Sequence, residues 1–215
     1  MAEYILSFDL GIINTAYCIV RISDLRIIRW GLFNIKDSTN EGSCTKLVKH
    51  LDRLNLCSGR NVLIVIEQQP RCNVKTIVIS GQLQMYFVLE KLTLLQEAEE
   101  AEEAEDSENE GTSVDKVGSI QKIVGHHAKH KIKYYQARPE DPPWPERITK
   151  LSSKGSYKTK QTLIEHCRRI LGHHQESKKW IDFFEANPKR DDLADSFCQA
   201  LSYIKMNKLG PFKIT

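Results

Sequence analysis

Apolar positions along the chain change their period several times, and each change marks an element. Residues 4–9, Tyr-Ile-Leu-Ser-Phe-Asp, read as a buried strand. Residues 15–22 and 26–35 read as two more strands with polar turn residues between them, and the close spacing predicts an antiparallel meander. Over residues 43–57, Cys44, Leu47, Val48, Leu51 and Leu54 fall near helical spacing. Asn61 to Glu67 is a continuous apolar run closed by a carboxylate, the pattern of an interior parallel strand buried on both faces. Residues 75–97 predict a long helix with Ile77, Leu83, Phe87 and Leu94 among its apolar positions. It runs into an Ala/Glu tract from Glu97 to Glu110. Both residue types favour helix, so the first turns of the tract continue it, while Asp106–Ser113 is expected to be disordered.

In the second half, residues 116–124 fit a short helix or a strand equally. Lys131–Ala137 is a strand candidate, and the Pro-rich Arg138–Arg147 is a loop. Ser156 or Thr159 caps a helix over Lys160–Leu171, with Leu163, Cys167, Ile170 and Leu171 inward. The last helix covers Asp191–Lys205, with Leu193, Phe197, Ala200, Leu201 and Ile204 on its apolar face. Strands first, then alternating strands and helices, predict a mixed α/β sandwich. A length of 215 residues suits one domain over 1–215, with an acidic insertion at about 97–115.

Charge changes this picture. The net charge of +3 conceals ten acidic groups in residues 96–115, where no Lys or Arg occurs; the remainder holds 31 basic against 18 acidic groups, a net of +13. That excess favours a polyanionic partner. The tract itself reads as a solvated insertion, with an autoinhibitory mimic of DNA charge as the alternative. No apolar run is long enough to span a membrane, and the N-terminus reads as a strand rather than a signal peptide. Six cysteines, none in C-x-x-C pairs, read as reduced thiols of a cytosolic or nuclear protein.

The candidate chemistry lies in four carboxylates. Asp9 closes the first strand, two residues before Gly11, which permits a tight turn. A turn aspartate explains that pattern equally well. Glu67 follows five consecutive apolar residues, where an ionised carboxylate is costly unless it is paired or metal-bound. It stands at the carboxyl end of its strand, where open α/β sheets bind ligands; a solvated strand-end glutamate is the plain alternative. Asp192 and Asp195 share one helix face at i and i+3, and the helix dipole accounts for acidic residues at 191 and 192 without further function. Lys189 and Arg190, just before them, suit a phosphate contact or solvation. Together these are hard oxygen donors from two strands and a helix, a set suited to Mg²⁺ or Mn²⁺. Two such ions about 3.5–4 Å apart would support phosphodiester hydrolysis.

Asp9-x-Gly11-x-x-Asn14, the Ile66-Glu67-Gln68 strand end and Asp192-x-x-Asp195 opening a C-terminal helix resemble the RuvC-type Holliday junction resolvases, most closely the branch carried by poxviruses and other large DNA viruses. Mitochondrial resolvases are more distant. The likeness covers nearly the whole chain outside the acidic insertion. It implies an RNase H-like fold and a homodimeric endonuclease that nicks two strands symmetrically across a four-way DNA junction with Mg²⁺ or Mn²⁺. For the viral branch it implies the host cytoplasm as the site of action. It also implies a catalytic lysine before the helix that precedes the acidic pair: Lys160 by register, with Lys158 second. A lysine there would stabilise charge developing on the phosphate or the leaving oxygen; a plain phosphate contact is the alternative.

Other features rank lower. His126-His127-x-x-His130 lacks a cysteine partner and stands among Lys129, Lys131 and Lys133, so it reads as a basic DNA-facing surface rather than a zinc site. His173-His174 reads the same way. Tyr134, Tyr135 and Trp144 suit base stacking or core packing. Rival functions are another RNase H-like nuclease acting on flaps or RNA–DNA hybrids, a non-catalytic DNA-binding scaffold, and an actin-like ATPase. The last needs a second lobe with its own Asp-x-Gly turn, which this sequence lacks.

Overall fold

The computed structural model describes residues 1–105, 118–131, 141–150, 156–173 and 178–210. Five strands, β1 Tyr4–Asp9, β2 Thr15–Arg21, β3 Ile27–Phe33, β4 Asn61–Glu67 and β5 Ser119–His126, form one sheet in the order β3-β2-β1-β4-β5. The first three are antiparallel; β4 runs parallel to β1, and β5 parallel to β4. The meander and the interior parallel strand follow the sequence pattern. The open choice at 116–124 resolves as the edge strand β5.

Alternation along the central strands builds two cores. Ile5 of β1 and Leu63 and Val65 of β4 face one cluster, with α4 Ser156–His173, α5 Lys178–Ala186 and α6 Arg190–Met206 over it. Leu6 and Phe8 of β1 and Val62, Ile64 and Ile66 of β4 face the other, beneath α1 Asn40–Leu54 and α2 Val74–Glu105.

Helix boundaries shift for local reasons. Helix α1 starts three residues before the expected position because the Thr39 hydroxyl accepts the Gly42 N–H at 2.9 Å. It stops at Asn55, which takes the left-handed conformation at φ 42°. Helix α2 continues through the Ala/Glu tract to Glu105. Its inward face is Ile79, Leu83 and Phe87, whereas Ile77, another of its apolar positions, is 40% exposed. Within the expected loop at 138–147 the described part is irregular until a one-turn helix, α3 Glu146–Thr149, begins after Pro145. Of the strand expected at 131–137, Lys131 instead closes a 3₁₀ turn over Ala128–His130, and the remainder, with Tyr134 and Tyr135, lies outside the described residues. So does the segment 106–113. Helix α4 begins at Ser156, one turn before Lys160.

Helix α5 is not visible in the hydrophobic pattern. It spans nine residues, too few to establish a period, and its place is set by tertiary contacts. Phe184 stacks on Trp30 at 5.4 Å, and Trp180 Nε1 donates to Ile27 O at 2.9 Å. None of the six cysteines is in a disulfide, and Cys18, Cys57, Cys167 and Cys198 are buried. Among the described residues no helix is long and apolar enough to cross a membrane.

Candidate active site

The carboxyl ends of β1 and β4 are neighbours in the sheet, with Phe8 in register with Ile66. Asp9 and Glu67 are therefore delivered to one edge by backbone pairing alone. The turn after Asp9 needs glycine at position 11, because a Cβ there would stand 2.7 Å from Asn14 O. Thr15 closes the same turn by donating its hydroxyl to Gly11 O at 2.6 Å. The opening turns of α6 bring Asp192 and Asp195 to the same edge.

At the centre lies a residue that sequence reasoning placed elsewhere. The basic neighbours of Lys131 predict a DNA-facing surface, yet its side chain is 2% exposed. Its Nζ is 3.2 Å from Asp9, 3.1 Å from Glu67 and 2.9 Å from Asp195. A buried ammonium is tolerated only with such partners, and clustered carboxylates only with such a cation. That reciprocal need is the one sequence signal that could have found it: four carboxylates gathered at one sheet edge require a nearby buried countercharge. His126 is also displaced from the expected surface. It is 5% exposed, and its Nε2 lies 3.1 Å from Ser202 Oγ of α6.

Electrostatics separate the acids. Burial acts to raise the Asp9 carboxyl, but the Lys131 ammonium and hydrogen bonds with Glu67 and Lys131 hold it below the ordinary range. Burial, reinforced by the hydrogen bond with Asp9, pushes Glu67 up to about 8. Burial raises Asp192 to about 6, aided by the charges of Asp191 and Asp9. Burial likewise raises Asp195 to about 6 against the pull of Lys131. For Lys131 burial favours the neutral amine, and the surrounding carboxylates overcome it and raise its pKa.

The structure thus brings Asp9, Glu67 and Asp195 onto one cation, with Asp192 beside them. Lys160, in the second turn of α4, stands at the rim: half exposed, it donates to Asp191 at 2.7 Å. Asp191, which the sequence reading left out of the site, is the link between Lys160 and the acidic helix. Lys158 lies on the first turn of α4, partly exposed. A groove of about 860 Å³ flanks Glu67 and is lined also by Gln68, Gln69, Arg71, Ser80 and His127.

The donor set fits a divalent cation in its chemistry, since hard oxygens from three elements already converge on one positive charge. With Lys131 between them, no group of three or more acidic, His or Cys side chains among the described residues grips one point as an ion would require.

No family model matches the chain. In sequence it is 26% identical over 223 residues to uncharacterized protein 97L of Invertebrate iridescent virus 3, covering 94% of this chain and all of that protein. In structure it is similar to fowlpox virus resolvase, solved with a substrate Holliday junction, at a TM-score of 0.56 and 15% identity, covering 95% of this chain and 98% of that one. Thermus thermophilus RuvC, also solved with a Holliday junction substrate, gives a TM-score of 0.49 and 13% identity, covering 94% and 96%. With three antiparallel strands followed by two parallel ones and helices on both faces, the chain has the RNase H-like fold, as the sequence resemblance implied.

Proposed function

We propose that this chain is a metal-dependent endonuclease that resolves four-way DNA junctions by paired, symmetric nicks. One observation carries the reading. Carboxylates from two adjacent parallel strand ends and the opening of a helix converge within 3.2 Å of a single buried cation. The fowlpox protein of the same fold was solved with a Holliday junction, and a sequence relative belongs to a large DNA virus; both favour a role in viral DNA recombination or concatemer resolution in the host cytoplasm. The chain would act as one nuclease domain over 1–215, with the acidic tract as an insertion.

Asp9, Glu67, Asp192 and Asp195 would hold Mg²⁺, or Mn²⁺ in its place, as one or two ions. When bound, such ions activate a water and stabilise the leaving oxygen in phosphodiester hydrolysis. The protein's own groups do the rest. Lys160, bonded to Asp191 of the acidic helix, would meet a phosphate at the rim; Lys158, two residues earlier, is the second candidate. Gln68, Gln69 and Arg71 supply donors along the groove for a DNA backbone.

Helix α2 supports the homodimer. Its outward side presents Val74, Val78, Met85, Leu89 and Leu92, each at least 40% exposed, in a single stripe. Gly81 falls on the same stripe with open space where a Cβ would be. A helix apolar on both faces is ordinarily buried on both. A second copy of α2 crossing at Gly81 would cover the stripe and set two carboxylate clusters in one particle, as paired nicking requires.

The test is cleavage of a labelled four-way junction beside a linear duplex, a flap and an RNA–DNA hybrid, with and without Mg²⁺. Junction-selective, Mg²⁺-dependent nicking is expected. Equal cutting of all substrates would leave only a general RNase H-like nuclease, and no cutting with any divalent ion would remove the enzyme.

A further inference from the structure

Helix α6 carries an unusual set of buried polar side chains at three-residue intervals: Ser196, Gln199 and Ser202, exposed by 0%, 0% and 2%. Each ties the helix to the sheet at a different place. Trp30 Nε1 of β3 lies 3.2 Å from both Ser196 Oγ and Leu193 O. Gln199 Nε2 donates among Ser7 Oγ at 3.0 Å, Phe8 O at 2.9 Å and Val65 O at 3.3 Å. Ser202 Oγ meets His126 Nε2 of β5. The helix crosses the sheet, fastened at one margin, at the centre and at the other margin.

The central tie differs from the other two. Phe8 precedes Asp9, and Val65 lies two residues before Glu67, so one amide group bridges the two strands that end in the carboxylates. Main-chain carbonyls can only accept, which fixes the NH₂ end of Gln199 toward them. Gln199 is also one turn beyond Asp195 on the same helix. Strand pairing already locks Asp9 against Glu67. Helix α6 has no ladder to join. Its apolar contacts through Leu193, Phe197 and Leu201 hold it down, but apolar contact is non-directional and does not set its register along the sheet. Hydrogen bonds of 2.9–3.3 Å to the two strands do.

We infer that Gln199 is a positioning residue of the carboxylate site: it sets Asp195 of α6 against Asp9 and Glu67, and so fixes the spacing of the cation-binding oxygens. The inference rests on reading those carboxylates as the metal site, and it assigns Gln199 no contact with the metal or with DNA.

The experiment measures Mn²⁺ affinity from the free-ion electron paramagnetic resonance signal, thermal unfolding in chelator, junction affinity, and single-turnover cleavage. It compares wild type with Gln199→Met, Ser202→Ala and Asp195→Asn. Gln199→Met keeps the side-chain volume and removes the donor. It is expected to weaken Mn²⁺ by about 10-fold or more, the size typical of losing an outer partner of a metal ligand, and to slow cleavage at unchanged junction affinity. Ser202→Ala removes the marginal tie and is expected to lower stability while leaving Mn²⁺ affinity unchanged. Should Gln199→Met fail to fold, Gln199→Asn keeps the amide but shortens its reach by one methylene, and the same loss is expected. Wild-type Mn²⁺ affinity in the folded Gln199 variant, or equal weakening by Ser202→Ala, overturns the assignment. If Asp195→Asn binds Mn²⁺ as wild type does, the metal site and Gln199's role fall together. If Asp195→Asn loses Mn²⁺ and Gln199→Met keeps it, only the role of Gln199 falls.

Discussion

Replacing Lys131 with Met removes a charge from the centre of the carboxylate cluster while keeping the volume of the stem. The ammonium faces Asp9, Glu67 and Asp195 at 3.2, 3.1 and 2.9 Å. Each contact is worth about 5 kcal/mol at an effective dielectric near 20. Desolvation of the ammonium offsets much of this, and breaking a buried pair by removing one partner costs a net of about 3–5 kcal/mol. For a chain of this length each kcal/mol lowers Tm by about 2–4 °C. Lys131→Met in chelator should therefore unfold roughly 6–20 °C below wild type. A divalent cation can replace the missing charge, so Mn²⁺ should raise the Tm of the variant more than that of wild type, where it competes with the lysine. Scanning calorimetry of both proteins across a Mn²⁺ titration checks this. A Tm within about 2 °C of wild type in chelator, or equal stabilisation of both proteins by Mn²⁺, would refute the argument.

Asp9→Asn or Asp195→Asn should abolish cleavage while leaving junction binding largely intact, because these groups face the cation and not the DNA; substantial cutting by either at matched binding would sink the site. Leu89→Lys combined with Leu92→Lys should convert a dimer to monomers in sedimentation velocity. Unfolding of the monomer should change by only about 0.5 kcal/mol, since both positions are exposed. His166, buried beside Trp144 and held down to about 4 by burial and by Arg169, stays neutral in the folded chain. Its unfolded value near 6.5 is higher, so the unfolded state takes up the proton first and stability falls as pH drops from about 6.5 to 4, by on the order of 3 kcal/mol in full. His166→Gln should flatten that part of the Tm–pH curve, and an unchanged slope would assign the loss to other groups.

The sheet was legible because its strands carry their burial in their own residues. The five apolar residues before Glu67 suffice to predict an interior strand, and the alternation Ile5, Leu6, Ser7, Phe8 is shared between the two cores. The carboxylates were legible for the same reason: a charge at the end of a buried run needs explanation. Lys131 was not. It follows a 3₁₀ turn, lies among other basic residues, and is buried only because three distant elements converge on it. Helix α5 was lost similarly, since Trp180 and Phe184 owe their burial to Trp30 more than 140 residues earlier in the chain. Gln199 carries no signal of its own in the sequence, because its partners, Ser7, Phe8 and Val65, are known only once the strands are paired.

Helix α2 bears on how the acidic tract can influence DNA. It begins near the carboxylate edge, where Ile77 lines the groove beside Glu67, and runs back toward the edge at which β5 begins. At 1.5 Å per residue, Glu97 is about 30 Å of helix away from Ile77, and Glu105 about 42 Å. The Debye length at physiological ionic strength is about 8 Å. The negative charges on the helical part of the tract are thus screened several times over before they reach the groove. A DNA strand at the carboxylates would sense little of the glutamates between Glu97 and Glu105, and lowering the salt, rather than deleting these glutamates, is what would change its approach.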